Sequence, residues 1–103
     1  MEQLLKEIKL LSEKEPKTLE QMALKLSEEV GETSQAVLSY LKASGSEYKH
    51  LGIEDVKEEC IDVILVALAM FYKLSENEKE LHELIGKKWI SGKAKSVNKF
   101  SFA

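Results

Sequence analysis

Three carboxylates, Glu28, Glu29 and Glu32, fall within five positions of a stretch whose apolar residues recur at helical spacing. A second acidic group, Glu58, Glu59 and Asp62, leads directly into the most apolar stretch of the chain, Val63 to Phe71. An α-helix turns about 100° per residue, so side chains three or four apart share a face. Glu29 and Glu32 therefore project together, and so do Glu59 and Asp62, while Glu28 lies one turn from Glu32 and Glu58 one turn from Asp62. Like charges stacked in this way destabilise a helix, and burying them destabilises it far more unless something neutralises them.

Acidic pairs on helices usually mark a solvated face. Here both groups interrupt the apolar parts of their segments: Asp62 has Ile61 before it and nine apolar residues after it. The lysines nearest to Asp62 along the chain, Lys57 and Lys73, are five and eleven residues away and face elsewhere. A bound cation is the expected neutraliser. Neither His50 nor His82 has the spacing to join the carboxylates, and an oxygen-only ligand set favours Mg²⁺, Mn²⁺ or Ca²⁺ over zinc or iron. Mg²⁺ gives up water reluctantly and is commonly held by a few carboxylates together with substrate phosphates. Clustered carboxylates on helices therefore point to a phosphate-bearing ligand.

The elements that must position these groups read as helices. With 103 residues the chain is long enough for one small domain, and with five Gly and one Pro it has little turn chemistry for a β-fold. Leu4, Leu5, Ile8 and Leu11 form a stripe over about 2–14, which Glu15-Pro16 ends because the residue before Pro disfavours helical angles. Thr18 and Gln21 form a capping box opening a second helix over 18–43, with Gly45 as its left-handed terminator. A third helix is expected over 53–74 and a fourth over 76–89, the latter capped by Ser75 and Glu78. Residues 90–103 form a Lys-rich, irregular tail on this reading. The expectation is a single all-α domain, a four-helix bundle, with no internal boundary. Val63 to Phe71 is apolar on every side, which in so small a chain calls for a second subunit, with Tyr72 packing at the interface.

Composition narrows the partners. Hydrophobic residues make up 44% and charged residues 32%, and the net charge is −3, the profile of an ordinary globular protein. All fifteen basic residues are Lys, so bidentate guanidinium clamps on phosphate are absent and Lys, backbone N–H or metal must do that work. Five Lys and no acid follow from Lys87 onward, but without interleaved aromatics they do not make a nucleic-acid surface, and no nucleic-acid partner is expected. The lone Cys60 is expected to be a buried thiol in a reducing compartment. The opening Met-Glu-Gln-Leu-Leu-Lys-Glu lacks a signal-peptide pattern, and Val63 to Phe71 is far short of the ~20 residues that span a bilayer. A cytoplasmic protein with no membrane contact is the expectation.

Glu28-Glu29-Val30-Gly31-Glu32, followed after twenty-six intervening residues by Glu59-Cys60-Ile61-Asp62, resembles the EExxE…ExxD signature of the MazG-like all-α nucleotide pyrophosphohydrolases, relatives of the dimeric dUTPases. The resemblance covers about Leu19 to Trp89. It implies cleavage of a nucleoside triphosphate to monophosphate and pyrophosphate, with Glu29, Glu32, Glu59 and Asp62 holding Mg²⁺ or Mn²⁺. Water would attack the α-phosphorus, oriented or deprotonated by Glu28, with Glu58 competing for that role. Lys87-Lys88-Trp89 is similar to the basic and aromatic end of the family's last helix. Lys87 and Lys88, with Lys49 in the loop, would then bind phosphate, and Trp89 and Tyr40 would be the aromatics left for the base. Two positions depart from the pattern: Leu84-Ile85-Gly86 stands where an Asn often precedes the basic pair, and Ser39-Tyr40 where some members carry a base-stacking aromatic. The resemblance also implies assembly as a homodimer or homotetramer. The alternative reading is a non-catalytic helical module for nucleotide binding, oligomerisation or regulation.

Overall fold

The computed structural model describes residues 1–42 and 51–94. Among the described residues there are four helices and no strand: α1 (Glu2–Glu13), α2 (Leu19–Tyr40), α3 (Ile53–Leu74) and α4 (Glu80–Ala94). The all-α class is as expected, and no described helix is long and apolar enough to cross a membrane.

The capping box opens α2 as the sequence predicts: Gln21 N–H donates to Thr18 Oγ1 at 3.1 Å, and Thr18 N–H to Gln21 Oε1 at 2.9 Å. The other end of α2 differs. The helix stops at Tyr40, and Lys42 takes the left-handed conformation, with φ 56°; Gly45 lies outside the described residues. Ser39 is buried at this end, and its hydroxyl accepts the N–H of Leu51 at 2.9 Å. This bond fastens the returning chain onto α2 just before α3 begins. There Gly52 N–H donates to Asp55 Oδ2 at 2.8 Å, fixing the first turn of α3.

The fourth helix starts later and ends later than predicted. Ser75 closes α3 instead of opening α4: its N–H donates to the Phe71 carbonyl at 2.9 Å and its hydroxyl to the Tyr72 carbonyl at 3.3 Å. α4 then begins at Glu80, whose carboxylate accepts the Glu76 N–H at 3.0 Å. It runs on through Ser91 and Gly92 to Ala94, so residues 90–94 are helical rather than irregular. A helix-interior Gly disfavours a helix by only about 1 kcal/mol, too little to stop one already formed. Residues 95–103 lie outside the description.

Packing is carried by α2 against α3 and by α1 against α3, and among the described residues α4 makes no comparable contact with any of them. Among the described residues α3 therefore lies between α1 and α2, and Leu81 near the start of α4 is buried. The seam of α2 has heptad spacing: Met22, Glu29 and Ala36 are all buried. A carboxylate therefore sits in the middle of the main helix–helix contact. The apolar run of α3 is not covered on all sides by this chain, since Ile61, Ile64 and Leu65 stand 53%, 50% and 43% exposed. Cys60 is exposed as well, not buried.

Candidate metal centre

Glu29 on α2 faces Glu59 and Asp62 on α3. One carboxylate oxygen from each of the three lies within 4.8 Å of the others. Glu29 is buried, Glu59 half-buried and Asp62 exposed, so the group opens outward on the Asp62 side. Thr33 links the two helices at this level. Its hydroxyl donates to the Glu29 carbonyl oxygen at 2.8 Å and reaches the Glu59 carbonyl oxygen at 3.4 Å. Buried oxygens of two of the three carboxylates, Oε2 of Glu29 and Oε2 of Glu59, have no hydrogen-bond partner. A buried carboxylate oxygen without a partner is unfavourable, and two of the three carboxylates each carry one.

The donors fit a hard cation. An octahedral ion with oxygens at about 2.1 Å keeps adjacent ligands about 3 Å apart and opposite ligands about 4.2 Å apart. A group that spans 4.8 Å needs only a small closure to reach that geometry, and the exposed Asp62 is free to make it.

Glu32 stands on the exposed side of the same α2 face, outside the group of three. Its carboxyl is still held above the usual carboxylate range, first by the charge of Glu29, then by desolvation and by the charge of Glu59. Glu28 is exposed beside it and Glu58 is exposed on α3. The one lysine paired with this neighbourhood among the described residues is Lys25, whose Nζ lies 3.0 Å from Glu29 Oε1 and 3.8 Å from Glu28 Oε1. Sequence reasoning missed Lys25 and Thr33, although both lie four residues from Glu29, one turn before and one turn after. Lys57, weighed for Asp62, instead pairs with Glu54 at 3.3 Å.

The other predicted contacts lie elsewhere. Lys88 and Trp89 line an apolar groove of about 340 Å³ with Phe71, Leu81, Leu84 and Ile85, and none of the carboxylates borders it. Phe71 is nine residues beyond Asp62 on α3, or about 14 Å along the helix. Lys87 is exposed on α4, and Tyr40, 45% exposed, closes α2 about 16 Å along the axis from Glu29. Lys49 and His50 fall outside the described residues.

No family model matches the chain, and neither a characterised protein nor a solved structure matches it. The functional reading therefore stands on the carboxylate geometry and on the pattern that the sequence resembles.

Proposed function

We propose that the chain is a Mg²⁺-dependent nucleoside triphosphate pyrophosphohydrolase of the MazG-like kind, working as a homo-oligomer. The supporting observation is the convergence of Glu29, Glu59 and Asp62 from two helices, with orphaned oxygens on two of them. A solvated acidic face leaves no carboxylate oxygen buried without a partner. On this reading Glu29, Glu59 and Asp62 hold the cation and Glu32 closes the set from the solvent side. The cation supplies charge neutralisation at the phosphates and a more acidic water. Glu28, which is exposed, would orient a water toward the α-phosphorus and take its proton, and Glu58 is the second candidate. The bond that breaks joins the α-phosphorus to the bridging oxygen, releasing pyrophosphate.

The phosphate-binding roles of Lys87 and Lys88 need a second chain, because in one chain the groove of Lys88 is not bordered by the carboxylates. Their separation is the observation that favours the alternative, a helical module that binds without hydrolysing. A panel of canonical and modified nucleoside triphosphates with Mg²⁺, assayed as orthophosphate with and without added pyrophosphatase, separates the readings. The enzyme gives signal only with pyrophosphatase. Orthophosphate without it places the attack at the γ-position, and silence across the panel with Mg²⁺ and Mn²⁺ leaves the module.

A further inference from the structure

A carboxylate buried in a helix seam needs a positive charge even when no metal is bound, and the structure shows which group supplies it. Lys25 Nζ contacts Glu29 Oε1 at 3.0 Å, while Glu29 itself is only 7% exposed. Among the described residues no other lysine pairs with Glu28, Glu29, Glu32, Glu58, Glu59 or Asp62. Local helix preference is a poor explanation for the contact, because Lys placed four residues before Glu is the weaker order for such pairs. The pair is better explained by the buried carboxylate, which draws in the nearest flexible cation. One ammonium does not complete the task, since Glu29 Oε2 and Glu59 Oε2 remain without partners. Lys25 keeps 39% of its side chain exposed, so its head can withdraw to solvent.

We propose that Lys25 is the resident cation of the Glu29–Glu59–Asp62 group, holding the place of the metal's charge, and that a divalent cation binds in competition with it. The proposal rests on the metal-centre reading above. A divalent ion on Glu29 meets the Lys25 ammonium as a like charge on the same carboxylate, so pairing and ligation oppose each other. Lys25 thereby sets the metal concentration at which the centre fills, and it is freed toward solvent when filling occurs. A lysine that merely braced Glu29 for ligation would act in the opposite sense, since loss of an orienting partner weakens metal affinity.

The test is calorimetric titration of the full chain with MgCl₂ and with MnCl₂, paired with melting curves, for wild type and Lys25→Met, which keeps the apolar stem and removes the charge. The expected result is roughly threefold or more tighter Mg²⁺ binding in the variant, the order of a partly exposed ion pair. Its metal-free melting temperature should be lower, and the two proteins should converge at saturating Mg²⁺. Unchanged or weaker Mg²⁺ binding by a folded Lys25→Met overturns the proposal while leaving the metal centre standing. If folded wild type and variant both fail to bind Mg²⁺ and Mn²⁺, the metal-centre reading falls and takes the proposal with it. Should Lys25→Met not fold without metal, Lys25→Gln, a neutral side chain that still donates to Glu29, is titrated in the same way and judged by the same outcomes.

Discussion

Asp62 and Glu28 separate two roles that carboxylates of the same neighbourhood can play. Asp62 contributes an oxygen to the converged group and is its most exposed member. Asp62→Asn preserves shape and one oxygen but removes a charge, so the loss should appear in the transition state: kcat should fall roughly 100-fold or more, the scale seen when a key electrostatic group is removed. Glu28→Gln should slow turnover too, yet leave intact the rise in melting temperature expected of the wild type with Mg²⁺. Unchanged kcat in Asp62→Asn would remove Asp62 from the proposed metal set. Glu32 offers a test that needs no substrate. Its carboxyl is raised by Glu29 and Glu59, so its contribution to stability is fully present below the ordinary carboxylate value and is lost as pH rises through the raised one. At neutral pH the ionised Glu32 therefore weakens the metal-free fold. Glu32→Gln, neutral throughout, should melt higher than wild type at pH 7 without metal, with the gap closing near pH 4 and shrinking when Mg²⁺ is added. A constant gap at both pH values would show that the carboxylates do not repel one another as the geometry requires.

At the scale of elements, the candidate centre depends on how α2 and α3 are locked together, and Thr33 is the direct polar link between them at that level. Thr33→Val keeps the shape and deletes the hydroxyl. A loss of about 1 kcal/mol, typical for one hydrogen bond, corresponds to a drop of roughly 4–8 °C in melting temperature for a domain of this size. Mg²⁺ affinity should weaken as well, because the spacing of Glu29 and Glu59 is no longer fixed. A Thr33→Val protein with wild-type melting and metal affinity would make the link incidental. Local features of these helices were legible in the sequence: the Thr18–Gln21 box involves side chains three residues apart, and the i, i+3 carboxylate spacing fixes shared faces by helix geometry alone. Features that depend on a choice between competing partners were not. Ser75 can cap either the helix before it or the helix after it, and only the completed chain shows that α3 takes it. Lys42 carries no sequence signal for a left-handed residue, whereas Gly45 does. Cys60 was misplaced because a strongly apolar helix does not reveal which of its faces meets α2. Lys25 was overlooked because cations were sought near Asp62, while the buried carboxylate that recruits one is Glu29.

For the whole molecule, the open question is what covers the outer face of α3. Ile61, Ile64 and Leu65 stand exposed on α3, and Leu84, Ile85 and Trp89 on α4. Exposed apolar residues grouped on a helix face are a common mark of an interface, and the proposed homo-oligomer is tested there. Ile64→Asp tests this because its cost differs between the two situations. On a monomer, where Ile64 is half exposed, a surface substitution changes stability by no more than about 0.5 kcal/mol, and light scattering should give one chain mass before and after. In an oligomer the new carboxylate is buried without a partner, which costs several kcal/mol, so the wild type should scatter as a dimer or tetramer and the variant as a smaller, less stable species. Mg²⁺ titration of the dissociated variant then asks whether the centre belongs to one chain or two. Binding by the variant with wild-type affinity places Glu29, Glu59 and Asp62 within a single subunit, as the geometry has them. On the proposed shared site, nucleotide hydrolysis should nonetheless be lost, because Lys87 and Lys88 of one chain would no longer reach the carboxylates of another. Full activity in a monomeric Ile64→Asp protein would refute the shared site.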